Sequence, residues 1–462
     1  MKFYNTLNNR IEEFKEIKKG YIGLYTCGPT VYDYAHIGNF RSYVFEDLVK
    51  RYFLYKGYNV NHVMNITDID DKTIKKSLAM GISLREVTDI YIKAFMDDVE
   101  TLNIIKANQY PRATDHIPEM LAIIDTLTEK GYAYQKDGSV YFSIAKFENY
   151  GRLANISQEN LRSGSNVDAD EYEKDNIQDF VLWKGKKEGE PFWTSASYGD
   201  GRPGWHLECS AMSSKYLGNL FDVHMGGVDN IFPHHENEIA QSQCSSGQEF
   251  VNYWIHCQHL IVDNQKMSKS LGNFYTLRDL LDKGYDPMEI RYLLISTHYR
   301  KLLNFTFEGL IQARQSLKRI HDFMFALKGL TPEPGETAEI TQLIQESEAK
   351  FQESMDADFN ISGGLGAIFD FIYQANLKLK GMKSKDVEHV LLFMDRLDHV
   401  TGVIKKEEEG LLDAEIEAKI AERQQARKDK NFKLADAIRD ELKVKGIVLL
   451  DTPEGVRWKS EK

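Results

Sequence analysis

An α/β fold built on a parallel sheet, split by an insertion and continued into a helical bundle and a small terminal module, is what this 462-residue sequence predicts. Three observations point there. A strand, loop, helix and strand open the chain; a turn-rich aromatic stretch precedes a second run of helix and strand; and 3.6-residue apolar periodicity dominates beyond residue 310. The length suggests roughly two to four domains, and 42% hydrophobic residues are enough for real interiors.

The first segment, "MKFYNTLNNRIEEFKEIKKG", is polar throughout, and no apolar run is long enough to span a bilayer, so neither a signal peptide nor a membrane span is expected. Residues 21 to 26, "YIGLYT", read as a buried strand. "CGPTVYDYAHIGNF" breaks it, and a helix starts near Gly38 and runs through Phe45, Leu48 and Tyr52. "YNVNHVMNIT" is the next strand. The result is a Rossmann-type βαβ unit whose ligands belong beyond the carboxyl ends of its strands, where Cys27 and "TDIDDK" lie.

From about residue 110 to 203 short aromatic pieces ("YAYQKDGSVYFSI", "DFVLWK") read as an insertion. Alternation resumes through "HLECSAMSSKYLG", "LFDVHMGGVDNIF" and "FVNYWIHCQHLIV". Residues 311–404 read as a helical bundle. "KKEEEG" at 405–410 reads as a linker to a terminal module ending at 462.

A net charge of −12 argues against nonspecific binding to a polyanion. Four cysteines, Cys27, Cys209, Cys244 and Cys257, are too few for a disulfide framework, so reduced thiols or metal ligands and a cytosolic setting are expected. "FPHHENEIA" sharpens this. His234 and Glu238 share a helical face at i and i+4, His235 and Glu238 nearly so at i and i+3, and spacing alone does not choose between them. Thiolates from Cys27 and Cys209 would complete a zinc set. Without further motifs, a solvated helix and two buried cysteines explain the same residues.

Two further motifs exist. "HIGN" puts His36, Gly38 and Asn39 at a loop-to-helix junction where N–H groups meet phosphates, and "KMSKS" puts Lys266 and Lys269 on a flexible loop able to close over a triphosphate. Either alone is unspecific. In this order, with an insertion between and helices after, they resemble the class I aminoacyl-tRNA synthetases. "YTCGPTVYDYAHIGN", "NITDIDDK", "GWHLECSAM", "HMGGVDNIFPHHENEIAQS" and "KMSKSLGN" resemble the cysteinyl-tRNA synthetase family in particular. The likeness continues to "FKLADAIRDELKVKGIVLLDTPEGVRW", essentially the full length.

That resemblance implies a class I catalytic domain over 1–310, with the KMSKS and stem-contact region at about 260–310, an anticodon-binding bundle over 311–404 and a tRNA-recognition module over 405–462. It implies zinc on Cys27, Cys209, His234 and Glu238, excluding His235. Thr67, Trp205, His224 and Asp229 would line the amino-acid pocket. His36, Gly38, Asn39, Lys266 and Lys269 would bind ATP with Mg²⁺, and Asn39 stands where the general motif has a second histidine. Arg427, Phe432, Asp436 and Asp451 would meet anticodon bases, in a stretch from Arg423 to Lys445 that holds eight basic and four acidic residues and taken alone reads as a solvated helical face. The implied partners are tRNA(Cys), L-cysteine and ATP, with no membrane and a monomeric protein. Zinc would separate cysteine from serine without a second, editing site. Two alternatives stand beside this: a ligase joining cysteine to a small amine, and a noncatalytic tRNA-binding relative.

Overall fold

The computed structural model describes residues 1–156, 179–404, 411–444, 447–452 and 455–460. These fall into two units, Met1–Ile320 with Pro332–Val403, and His321–Thr331 with Ile404–Lys462. Among the described residues no helix is long and apolar enough to cross a membrane.

In the first unit four parallel strands, β1 (Tyr21–Thr26), β2 (Asn59–Met64), β3 (Phe221–Gly227) and β4 (Val251–Cys257), form a sheet in the order β4-β3-β1-β2. Their near-continuous burial follows from helices covering both faces of a parallel sheet. From β1 the chain steps to β2 on one side; from β3 it steps to β4 on the other. The crevice at such a reversal is where open α/β sheets bind ligands. Cys27 follows β1 directly, its N–H donated to the Met225 carbonyl of β3 at 3.2 Å.

β2 ends at Met64, short of the expected Thr67, because the next residues bend into the crevice. Asn65 Oδ1 accepts the Gly28 N–H at 2.9 Å, and the Thr67 N–H goes to the Pro29 carbonyl. Position 28 requires glycine, since a Cβ there would lie 1.7 Å from the Asn65 carbonyl oxygen.

Helix α1 (Ile37–Tyr55) starts at His36, whose Nδ1 accepts the Asn39 N–H at 3.2 Å while Asn39 Oδ1 accepts the His36 N–H at 3.1 Å. This reciprocal cap satisfies two of the otherwise orphaned donors of the first turn. α1 is buried almost all round, its charged Arg41, Glu46, Asp47, Lys50 and Arg51 included. After β2 come α2 (Asp71–Met80), α3 (Leu84–Thr101) and α4 (Ile117–Glu129). The insertion is then a five-stranded antiparallel sheet, spatially Ala133–Lys136, Ser139–Ser143, Asp179–Gly185, Gly199–Pro203 and Trp193–Ser195. α4 falls inside the stretch read from sequence as strand-like pieces.

α5 (Trp205–Leu217) and α6 (Glu236–Ser246) flank β3, and α7 (Pro287–Ser296) follows the KMSKS loop. Four longer helices come next: α8 (Phe307–Lys328), α9 (Ala338–Asp356), α10 (Ile361–Lys378) and α11 (Ser384–Thr401). In the second unit α12 (Leu411–Lys428), α13 (Phe432–Val444) and the hairpin Ile447–Thr452/Gly455–Ser460 carry a small core of Ile416, Ile420, Ile438, Leu442 and Ile447. The segment 405–410, expected to be a linker, and Lys445 of the basic run lie outside the described residues.

Candidate active site and metal centre

The crevice between β1 and β3 gathers sulfur, nitrogen and oxygen donors. One ligand atom from each of Cys27, His234, His235 and Glu238 lies within 4.8 Å of the others, all of them buried. Cys209 on α5 faces the same group, its Sγ 3.5 Å from His234 Nε2. The four zinc residues implied by sequence are therefore brought together, but His235 joins them, with Nε2 3.1 Å from Cys27 Sγ. The tightest group of four holds His235 in place of Cys209. The histidines precede the regular helix: a turn over Ile231–His235, kinked at the extended Phe232 (φ −136°, ψ 132°), leads into α6, which begins at Glu236. Both rings reach Glu238 at helical spacing, His234 Nε2 at 3.1 Å (i, i+4) and His235 Nε2 at 3.9 Å (i, i+3) from Oε1.

A ring of neighbours fixes these groups. His234 Nδ1 meets His206 Nδ1 at 2.9 Å, and the Trp205 ring stacks on His234 at 4.1 Å. His224 Nε2 bonds Glu238 Oε2 at 2.9 Å, and His235 Nδ1 bonds His256 Nε2 at 2.8 Å. Burial drives the titration of the cluster. It pushes the Cys27 and Cys209 thiols and the Glu238 carboxyl up, and it pulls His234 and His235 well down and His206, His224 and His256 to about 3. Glu238 Oε1 has no directed hydrogen bond among the described residues. A buried acceptor left unmatched among thiols and imidazoles is what a soft, borderline cation would satisfy, so the residues fit a metal such as zinc.

Of the expected pocket residues, Trp205 and His224 stand in this ring. Thr67, 1% exposed, donates its hydroxyl to Glu208 Oε2 at 2.8 Å. Asp229 is exposed on the turn after β3, and its charge raises the His36 imidazole against the burial that lowers it. A neutral His36 whose Nδ1 accepts from Asn39 carries its proton on Nε2.

The KMSKS loop meets α1 from the other side. The Ile37 N–H donates to the Tyr275 carbonyl at 3.0 Å, and the Phe274 ring meets His36 edge-on at 5.1 Å. At Gly38 a Cβ would come 2.9 Å from His36 Nδ1 and 3.2 Å from the Met267 terminal methyl, so glycine lets the two motifs close. Asn273 pins the loop, accepting from the Ser268 N–H at 2.8 Å and donating to the Lys266 carbonyl at 3.2 Å. Lys266 and Lys269 are exposed. Lys269 Nζ rests 3.1 Å from Asp33 Oδ2 and 5.1 Å from the Phe274 ring centre. Sequence reasoning missed Asp33, His206 and His256.

In the second unit Arg427, Phe432 and Asp436 are exposed on α12 and α13, Phe432 at 60%. Arg423 of the same basic run is buried. Asp451 sits opposite Val456 in the hairpin, its side chain outside the described residues.

Residues 13–315 match the family described as tRNA synthetases class I (C) catalytic domain, residues 350–405 a DALR domain and residues 409–458 the cysteinyl-tRNA ligase anticodon binding domain. The cysteine–tRNA ligase of Brachyspira hyodysenteriae is 49% identical over 99% of this chain and 98% of its own length. That of Protochlamydia amoebophila is 47% identical over 100% and 98%. The solved Mycobacterium tuberculosis methionyl-tRNA synthetase in complex with methionyl-adenylate shares the fold, with a TM-score of 0.55 and 16% identity over 83% of this chain and 88% of that one. The chain belongs to the cysteinyl-tRNA synthetase family of class I aminoacyl-tRNA synthetases.

Proposed function

We propose that this protein activates L-cysteine with ATP and Mg²⁺, forming cysteinyl-adenylate and pyrophosphate, and then transfers the cysteinyl group to the 3′-terminal ribose of tRNA(Cys). The observation that carries the choice of amino acid is the buried thiol, imidazole and carboxyl group at the end of β1 with its unmatched Glu238 oxygen. Cys27, Cys209, His234 and Glu238 would hold zinc there, with His235 as a hydrogen-bond partner of Cys27. Zinc, when bound, supplies a soft Lewis acid that prefers the substrate thiolate to the neutral hydroxyl of serine.

The remaining work falls to the chain's own groups. His206 accepts from His234 Nδ1 and so presents Nε2 as the ligand atom, while His224 donates to Glu238 and fixes its rotamer. Trp205 closes the wall over His234, and Thr67, through Glu208, supports the floor. Asp229 accepts the substrate ammonium. His36 donates from Nε2 toward the phosphates at the start of α1, Asn39 holds that ring, and Gly38 keeps the approach clear. Lys266 and Lys269 neutralise the charge that grows as pyrophosphate leaves. The tRNA-facing residues are Arg427, Phe432, Asp436 and Asp451, and we place the protein in the cytosol as a monomer. The rival small-amine ligase has no observation in its favour.

The test is cysteine-dependent ATP–pyrophosphate exchange with serine as competitor and zinc quantified in the same sample. Exchange with cysteine, no competition by serine and about one zinc per chain are expected. Cys209→Ser should lose zinc and cysteine activation together; unchanged zinc and exchange in that variant remove Cys209 from the site.

A further inference from the structure

Beside the mouth of this site lies a surface of tyrosines and cations that has no part in the roles above. Tyr32 and Tyr34 flank Asp33 in the loop that leads to His36. The Arg278 guanidinium lies 5.0 Å from the Tyr34 ring centre, and Tyr34 meets Tyr91 of α3 edge to face at 5.5 Å. Lys76 Nζ is 5.3 Å from the Tyr91 ring and Lys72 Nζ 5.8 Å from the Tyr32 ring. Lys72 and Lys76, four apart on α2, share one helical face.

The platform is held in place. Arg278 is anchored from below by Asp98 at 3.1 Å and by the Ala94 carbonyl at 3.1 Å. Asp33 pairs with Lys269 and Asp71 with Lys184 and Arg202, while Asp33 also attracts Lys76 and Asp70 spends its Oδ1 on the Lys72 backbone N–H, so neither lysine has a carboxylate to itself. In a chain of net charge −12 this is a local basic patch, and Tyr34 is 42% exposed within it. Through Asp33 and Lys269 it abuts Phe274 and His36, where the two phosphate-binding motifs meet.

Open π-faces interleaved with ammonium groups recognise unpaired nucleotides, because every base offers a face to stack and every linkage a phosphate; duplex RNA hides those faces. We propose that this surface receives the single-stranded 3′ end of the acceptor RNA, with bases stacked on Tyr34 and Tyr32 and backbone phosphates held by Lys72 and Lys76. It leads the terminal ribose toward the carboxyl ends of β1 and β3. The proposal rests on the aminoacylation reading above and names the surface that reading leaves unassigned.

The experiment uses the full chain and two labelled RNA stem-loops, one with a four-nucleotide 3′ overhang ending in CCA and one blunt. The wild-type protein should prefer the overhang, Tyr34→Leu should cost about tenfold of that affinity, and Tyr34→Phe should keep it. Lys72→Ala/Lys76→Ala should weaken overhang binding and flatten its dependence on log salt by about 1.4. In single-turnover assays Tyr34→Leu should slow transfer to tRNA about tenfold and leave cysteine-dependent pyrophosphate exchange within about twofold. Equal binding of the two stem-loops by the wild-type protein, or unchanged transfer in Tyr34→Leu, overturns the proposal. So does an equal fall in exchange and transfer, which would assign these residues to ATP binding or folding. Absence of exchange in the wild-type protein sinks the aminoacylation reading instead, and the overhang preference then decides the surface by itself.

Discussion

Glu46, on α1 and 1% exposed, has no directed hydrogen bond on either carboxyl oxygen among the described residues. Burial, offset in part by the Thr26 hydroxyl, pushes its carboxyl up to about 8. The folded value stands above the ordinary 4.5, so between these two values the unfolded chain has lost a proton that the native state retains. Stability therefore falls as pH rises through that window, by about 1.4 kcal/mol per unit, and levels off above it. Glu46→Gln removes the titration. Its thermal midpoint should match the wild type near pH 5, exceed it increasingly up to pH 8, and keep a constant lead beyond; parallel curves would show that Glu46 is ionised when folded. The same scale explains which site residues could be read in advance. Soft and borderline donors made Cys27 and Cys209, with Glu238 and either His234 or His235, candidates from the residues, and the choice of His234 came only from the family resemblance. Spacing had left both His234 and His235 open, and the folded chain turns both toward Glu238. Asp33 was invisible because its partner Lys269 is 236 residues away.

At the scale of elements, α1 is held to α7 and α11 by a buried polar joint. Asp47 Oδ2 accepts from Arg51 Nε at 2.7 Å and Arg291 Nη2 at 2.5 Å, and Arg291 also donates to the Thr401 and Leu102 carbonyls. Both Asp47 and Arg291 side chains are fully buried. Removing Arg291 leaves two carbonyls without this donor away from water and leaves the buried Asp47 carboxylate to Arg51 and the Ile105 N–H, so Arg291→Met should cost about 3–5 kcal/mol. The half-exposed pair of Lys56 and Asp356, 3.2 Å apart, is the control: Lys56→Met should cost under about 1 kcal/mol. Thermal unfolding of both variants checks this, and similar shifts would show the joint to be no stronger than a surface pair. Apolar periodicity identified α1 as a helix, and the strand runs identified the parallel sheet. Neither revealed that Asp47, Lys50 and Arg51 point inward, because a charged residue at a buried helical position looks in sequence like one facing solvent.

At the scale of the whole chain, every residue grouped in the crevice, from Cys27 to Lys269, belongs to the first unit, while α12, α13 and the terminal hairpin belong to the second and carry a core of their own. The change of texture near residue 310 was legible because strands and long helices differ in period. The contrast inside the basic run was not: Arg423 is buried and Arg427 exposed, although both are arginines on one helix. With the crevice in one unit and the match to an anticodon binding domain in the other, the two half-reactions should separate on truncation. Deleting residues 405–462 should leave cysteine-dependent pyrophosphate exchange within about twofold and lower the kcat/KM for tRNA charging at least about tenfold. An unchanged main thermal transition would show that the first unit still folds. Because exposed cations contact phosphate by screened attraction, raising salt should narrow the gap between full-length and truncated chains. A truncated chain that charges tRNA as well as the full one at every salt concentration would place anticodon recognition outside the second unit.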